Sequence, residues 1–311
     1  MGYFDNQKGK AFEYFIKKLL IAVGFSEVSP DGLYIFNGSP GLMINGLGEA
    51  HNADVLLEPP VQTPFYNLTR LLVECKAYTR NVDINVIRSA VGLRLDINSF
   101  DIVDLKELTS RRKSNRPDLY YKYSRYQYQV AVASVKGFTV PAQNFAATHR
   151  IPLIQLNKMP FWSDFIRITK DPDKLDNFKQ EIDNLILDLQ DRLAVAITNS
   201  GQLLFLLRID ENEADYESLA MNYYYLKWTD KKHPWKMCIG KHTYLFQLPD
   251  ELLKSWISES HTELDLQRNA INCKLDHFSN MVMYYKLNNV PSIKIISIDK
   301  QDLYNALNNL E

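Results

Sequence analysis

Leu71-Leu72-Val73-Glu74-Cys75-Lys76 is a short apolar run that turns charged at alternate positions, the pattern of a buried strand ending in polar groups. Strand alternation places Leu72, Glu74 and Lys76 on one face and Leu71, Val73 and Cys75 on the other. A second run of the same kind lies upstream, Asn52-Ala53-Asp54-Val55-Leu56-Leu57-Glu58. An acid and a lysine standing together at the end of a buried strand are costly to desolvate unless they are paired, hydrated or holding a metal. That cost marks where to look for chemistry.

Working outward, Phe12, Phe15, Ile16, Leu19, Leu20 and Val23 recur at helical spacing, so residues 5–23 are predicted as an amphipathic helix closed by Gly24. The Gly- and Asn-rich passage 31–52 holds two short strands, 33–36 and 42–44, joined by turns. A Pro-containing loop, 59–67, links the two charged strands. Ile84, Ile87, Val91 and Leu95 mark a helix, with Asp83 as its N-cap. Residues 128–135 read as a strand, 140–149 as a helix opened by Pro141, and 151–156 as another strand. This order describes an α/β domain over residues 1–160. The second half, 161–311, reads as an α+β accessory domain. In it the apolar seam Leu175, Phe178, Ile182, Leu185 and Leu189 predicts a helix over 173–192, followed by a hairpin around Asn199-Ser200-Gly201. Strands are predicted at 223–228, 235–239, 242–248 and 293–298, a helix after Pro249, and a terminal helix.

Composition excludes some classes. Net charge is −1 over 311 residues, so there is no global basic field for coating nucleic acid. The three cysteines, Cys75, Cys238 and Cys273, are far apart and odd in number, against a disulfide framework or a CxxC zinc site. A reducing cytoplasm fits this usage. No signal peptide or membrane-length apolar run is visible, and no membrane partner is expected.

Cleaving a phosphodiester at neutral pH calls for a cation to stabilise transition-state charge and for a nucleophilic water. Mg²⁺ takes oxygen ligands and keeps several waters, so two carboxylates and a carbonyl suffice. Asp54 and Glu74 are the candidate carboxylates and the Cys75 carbonyl the third ligand. Lys76, on the face of Glu74, is placed to orient or deprotonate the water, with an amine whose pKa burial near a metal would lower.

These residues resemble the PD-(D/E)xK nuclease superfamily, most of all its Mrr-type restriction endonuclease branch. The resemblance covers about residues 5–158. It is carried by Gly9-Lys10-Ala11-Phe12-Glu13, by Gly46-Leu47-Gly48-Glu49-Ala50-His51-Asn52-Ala53-Asp54, by Val73-Glu74-Cys75-Lys76, and by Ser134-Val135-Lys136-Gly137-Phe138-Thr139 with Ala142, Ala146 and Ile151-Pro152-Leu153-Ile154. Ala53 stands where the motif has Pro. The resemblance implies a restriction-endonuclease-like core, a mixed sheet flanked by helices. It also implies that Glu13, on the first helix, assists metal or water binding beside the catalytic Asp54, Glu74 and Lys76. Mg²⁺ is the implied cofactor, with Mn²⁺ substituting.

A D/E-x-K tripeptide alone is weak, and the chain has two more, Asp104-Leu105-Lys106 and Asp230-Lys231-Lys232. Neither ends a buried strand. Without the motif, Glu74 and Lys76 would read as a surface ion pair and Glu13 as a solvated helix position, while His51 reads as a phosphate contact or, more often for a His in a Gly-rich loop, an exposed residue. Residues 106–125 concentrate Arg111, Arg112, Lys113, Arg116, Lys122 and Arg125 among tyrosines, a pattern suited to phosphates and bases, or else to a solvated loop. The expectation is a Mg²⁺-dependent endodeoxyribonuclease acting on DNA in restriction or phage defence, with a homodimer left open. The alternatives are a branched-DNA resolvase or repair nuclease, and a catalytically inactive binding or assembly protein of the same fold.

Overall fold

The computed structural model describes residues 3–39, 41–62, 67–101, 125–210, 224–227, 234–249 and 262–309. Helix α1 (Tyr3–Ala22) buries Ala11, Phe12, Phe15, Ile16, Leu19 and Leu20, the stripe its three-and-four spacing predicts. It ends before Gly24, whose φ of +107° suits a residue without a Cβ. Short strands β1 (Ser26–Glu27), β2 (Ile35–Gly38), β3 (Gly41–Asn45) and β4 (Ala50–Asn52) follow. Next come β5 (Val55–Glu58) and the nine-residue β6 (Leu68–Lys76). Helix α2 (Ile84–Ser99) opens on Asp83, whose carboxylate accepts from the Asn85 and Val86 amides, as the N-cap reading requires. It returns the chain to β7 (Tyr126–Ser134), and α3 (Val140–His149) leads to β8 (Leu153–Gln155).

These elements form a mixed sheet ordered β1-β5-β6-β7-β8. In it β5 runs antiparallel to β6, while β6, β7 and β8 run parallel. The β6–β7 ladder pairs Leu68 with Tyr126 at one end and Lys76 with Ser134 at the other. Both faces of β6 are covered. Leu71, Val73 and Cys75 join a cluster with the α1 side chains, whereas Leu72 joins Ile87, Ala90 and Ala142 from α2 and α3. The period-two pattern of this strand therefore sorts the helices onto opposite faces. A separate three-stranded sheet, β2-β3-β4, leads into Asp54.

Beyond residue 160, α4 (Trp162–Lys170) packs on α1, with the Phe15 and Phe165 rings stacked at 4.4 Å between centroids. The predicted helix over 173–192 is broken. Asp171 caps a five-residue helix, α5 (Pro172–Asp176). Asn177 then leaves helical geometry at φ −108° and ψ 26°, and α6 (Phe178–Leu189) starts anew. The apolar period runs through the break, with Leu175, Phe178, Ile182, Ile186 and Leu189 all buried, so it carried no sign of the interruption.

Strands β9 (Leu193–Thr198) and β10 (Leu203–Arg208) form the predicted hairpin. With β11 (Tyr224–Lys227), β12 (Trp235–Ile239), β13 (His242–Phe246), β14 (Asn280–Leu287) and β15 (Val290–Ser297) they make a seven-stranded antiparallel sheet, β11-β12-β13-β10-β9-β14-β15. Helices α7 (Glu263–Phe278) and α8 (Lys300–Asn308) accompany it. Helices α4 and α7 and strand β14 were not predicted. The helix expected after Pro249 falls on residues 250–261, outside the described ones. The molecule is a mixed α/β protein, and one apolar cluster draws on Phe12 and Val73 as well as Phe165, Ile182, Val195 and Phe205.

Candidate active site

Chain geometry brings the predicted carboxylates to one place. Asp54 sits between β4 and β5, beside the carboxyl end of β6, and its Oδ2 accepts a 2.9 Å hydrogen bond from the Cys75 amide. That amide lies past the last β5–β6 pair, Val55 with Val73, so the carboxylate takes the place of a missing strand partner. In a strand the N–H and C=O of one residue point to the same side, which directs the Cys75 carbonyl toward Asp54 as well.

Lys76 ends the strand with its Nζ 2.9 Å from Glu74 Oε2 and 3.9 Å from Asp54 Oδ2. Glu74, Lys76 and Asp54 are all largely shielded, with side-chain exposures of 15–21%. Glu13 approaches from α1 and shares a cavity of about 460 Å³ with Asp54, Lys76, Tyr78 and Arg80. A second cavity of about 480 Å³ lies on the α2 side, where His51, Asn52, Glu74 and Ser89 face Lys76 and Tyr78. Lys76 and Tyr78 border both.

Burial of several acids in one spot strains their ionisation. Desolvation, then the neighbouring Asp54 charge, pushes the Glu13 carboxyl up to about 7, with Lys76 and Lys10 opposing. Asp54 is raised by burial and by Glu74, against the Cys75 amide and Lys76, which pull it down. Burial also pushes the Cys75 thiol well up, so it is a packing group with no thiolate character. Desolvation lowers the Lys76 pKa, but attraction and hydrogen bonding to Glu74, and then Asp54, outweigh it, and without a metal the net shift is upward. Glu13, poised near neutrality, is a further candidate base.

Among the described residues no three His, Cys, Asp or Glu side chains gather as a metal-holding group. Asp54 and Glu74 each lie against Lys76 Nζ, at 3.9 and 2.9 Å, and with the Cys75 carbonyl they are the donors that would hold an ion. That set is all oxygen and leaves room for water, which fits a hard divalent ion.

Of the predicted nucleic-acid contacts, Arg111, Arg112, Lys113, Arg116 and Lys122 lie outside the described residues. Arg125 is described, and it pairs with Asp101 at 2.9 Å. It immediately precedes β7, at the edge of the sheet opposite Lys76. With nine residues in β7, the two edges are roughly 26 Å apart. The sequence reading favoured an exposed loop residue at His51 and passed over Asp96. Yet His51 Nε2 lies 2.7 Å from Asp96 Oδ2 on α2, and Asp96 also accepts from the Gly48 amide at 2.8 Å. Gly46 and Gly48 were the signal, because a Cβ at Gly46 would collide with Asp96. No helix among the described residues is long and apolar enough to cross a membrane.

No family model matches the sequence, and no curated protein matches it. Among solved structures, the crystal structure of a protein of unknown function aligns with a TM-score of 0.31 at 11% identity, over 58% of this chain and 95% of that one. A likeness at that level carries no functional argument.

Proposed function

We propose that this protein is a metal-dependent DNA endonuclease with a restriction-endonuclease-like core, of the PD-(D/E)xK type, serving restriction or phage defence. The observation that carries the reading is that Asp54 and Glu74 both lie against Lys76 at the carboxyl end of β6, with Glu13 sharing a cavity with Asp54 and Lys76 from α1. Open α/β sheets place ligands beyond the carboxyl ends of parallel strands, which is where this group stands. Asp54, Glu74 and the Cys75 carbonyl would hold Mg²⁺ or Mn²⁺. The ion, when bound, polarises a phosphoryl oxygen and makes bound water a better nucleophile. Glu13 takes a proton from the attacking water. Lys76, tied to Glu74, offsets charge building on the phosphoryl oxygens. A role on branched DNA would use the same chemistry.

The closed Lys76–Glu74 pair favours a second reading, an inactive DNA-binding or assembly protein in which the ammonium takes the place of the metal. Incubation with supercoiled plasmid separates the two. The nuclease reading expects nicking or linearisation in Mg²⁺ or Mn²⁺, no cleavage in EDTA, and a loss of about a thousandfold in Asp54→Asn or Glu74→Gln, the several kcal/mol a metal supplies. Wild-type protein that binds DNA and leaves it intact under every metal condition supports the second reading instead.

A further inference from the structure

His51 is a group in the second cavity that the cation chemistry leaves unused. Its Nε2 is tied to Asp96, and its Nδ1 has no hydrogen-bond partner among the described residues. Asp96 is itself fixed. It accepts from His51 and from the Gly48 amide, contacts that hold its carboxyl below the usual range. The ring therefore has one anchored nitrogen and one free one, in the wall of a cavity that Glu74, Lys76 and Tyr78 also line. The charged groups around it are Glu49 from the turn before β4, Asp96 from α2, and Glu74 and Lys76 from β6. Glu13 and Asp54 open onto the α1 side of the sheet and His51 onto the α2 side, with Lys76 between.

In-line displacement at phosphorus needs entering and leaving oxygens on opposite sides. A base alone on one side leaves the departing alkoxide without a proton. We propose, on the nuclease reading above, that His51 is the proton donor to the leaving oxygen and that Asp96 is the positioning residue for its ring. In this step the water oxygen bonds to phosphorus and its proton passes to Glu13. The ester P–O bond breaks with its electron pair going to the leaving oxygen, which takes the Nδ1 proton of the His51 imidazolium and leaves a neutral ring whose Nε2–H still bonds Asp96. Solvent then reprotonates His51 and relieves Glu13, so no oxidant or co-reactant is needed.

A bridging-sulfur duplex tests this. With sulfur in place of the leaving oxygen at the mapped cut position, the thiolate departs without a proton. His51→Gln is expected to slow the oxygen-bridged duplex by about a hundredfold, the lower range for acid–base catalysis, and the sulfur-bridged duplex by less than about threefold. Asp96→Asn, which keeps the imidazole, is expected to show the same split at smaller size, and it serves as the second variant should His51→Gln fail to fold. Equal slowing of both duplexes, or no slowing of either, overturns the donor role while wild-type cleavage leaves the nuclease reading standing. Wild-type protein that cuts neither duplex in Mg²⁺ or Mn²⁺ overturns both.

Discussion

The two ends of β6 bury charge in opposite ways. At the amino end Arg70 is 6% exposed, and each nitrogen of its guanidinium has a partner. It pairs with Glu58 through Nε and Nη2 at 2.9 Å, reaches the Tyr128 hydroxyl at 3.3 Å, and stacks over the Tyr126 ring at 3.5 Å. One acid meets one base there, and aromatic faces cover the rest. At the carboxyl end three carboxyl groups, Glu13, Asp54 and Glu74, act on the Lys76 ammonium, and two of them are pushed toward protonation although Lys10 also opposes the Glu13 shift. The lesson is that burial of charge by itself does not mark a site. A balanced buried pair is architecture, whereas an acid surplus beside open cavities is a place waiting for a cation or a proton.

Four outcomes break or sharpen this contrast. The largest is structural. Arg70→Ala strands Glu58 in a shielded place and is expected to lower stability by about 3–5 kcal/mol, read from urea midpoints, with no specific effect on metal binding. An Arg70→Ala protein as stable as wild type would erase the distinction between the two ends.

Asp54→Asn gives the opposite sign. Its side-chain oxygen still accepts from the Cys75 amide while a disfavoured charge is gone, so stability at pH 8 is expected to hold or rise by up to about 1 kcal/mol even as cleavage is lost. Destabilisation on the Arg70→Ala scale would mean that the carboxyl end is architecture too.

The third outcome is a pH dependence of the metal-free protein. The Glu13 carboxyl is near 7 when folded against about 4.5 in the unfolded chain, so between those pH values the folded state holds more protons than the unfolded one. Stability from this group is thus fully present below about 4.5 and is lost as pH rises through 7. Glu13→Gln is expected to flatten that fall in a series of melts from pH 4 to 8. A wild-type profile flat over the same window removes the acid surplus as an explanation.

The smallest effect concerns the basic segment. If residues 106–125 track DNA, replacing Arg111, Arg112 and Lys113 by Ala weakens binding to all sequences alike. Each lost phosphate contact reduces the slope of log K against log salt by about one unit. Affinity should suffer more than cleavage at saturating protein, because the stem of this segment at Arg125 lies at the sheet edge away from Lys76. An unchanged salt slope identifies the segment as a solvated loop.

What could be read from the chain were its local periodicities. The α1 stripe from Ala11 to Leu20, the alternation of Leu71–Lys76, the Asp83 N-cap and the β9–β10 hairpin each depend on neighbours a few residues away, and all stand in the structure. The break at Asn177 did not show, because Leu175 and Phe178 keep the same buried seam across it. Strand β14 was missed as well. Its Met281, Met283 and Tyr285 become a buried face only by pairing with β9 and β15.

For the site, the sequence by itself determined the identity of the acids and lysine, and that Glu74 and Lys76 share a face, since period two follows from strand geometry alone. Only the tertiary structure decided the rest. Asp54 reaches the Cys75 amide because β5 stops pairing at Val55, and Glu13 arrives because α1 packs on the opposite face of β6, that of Leu71, Val73 and Cys75. Lys76 stays charged because two acids outweigh its desolvation, and His51 acquires a fixed ring because α2 presents Asp96. Ionisation and orientation depend on what surrounds a group in space, and residues far apart in sequence supply those surroundings only once the chain has folded.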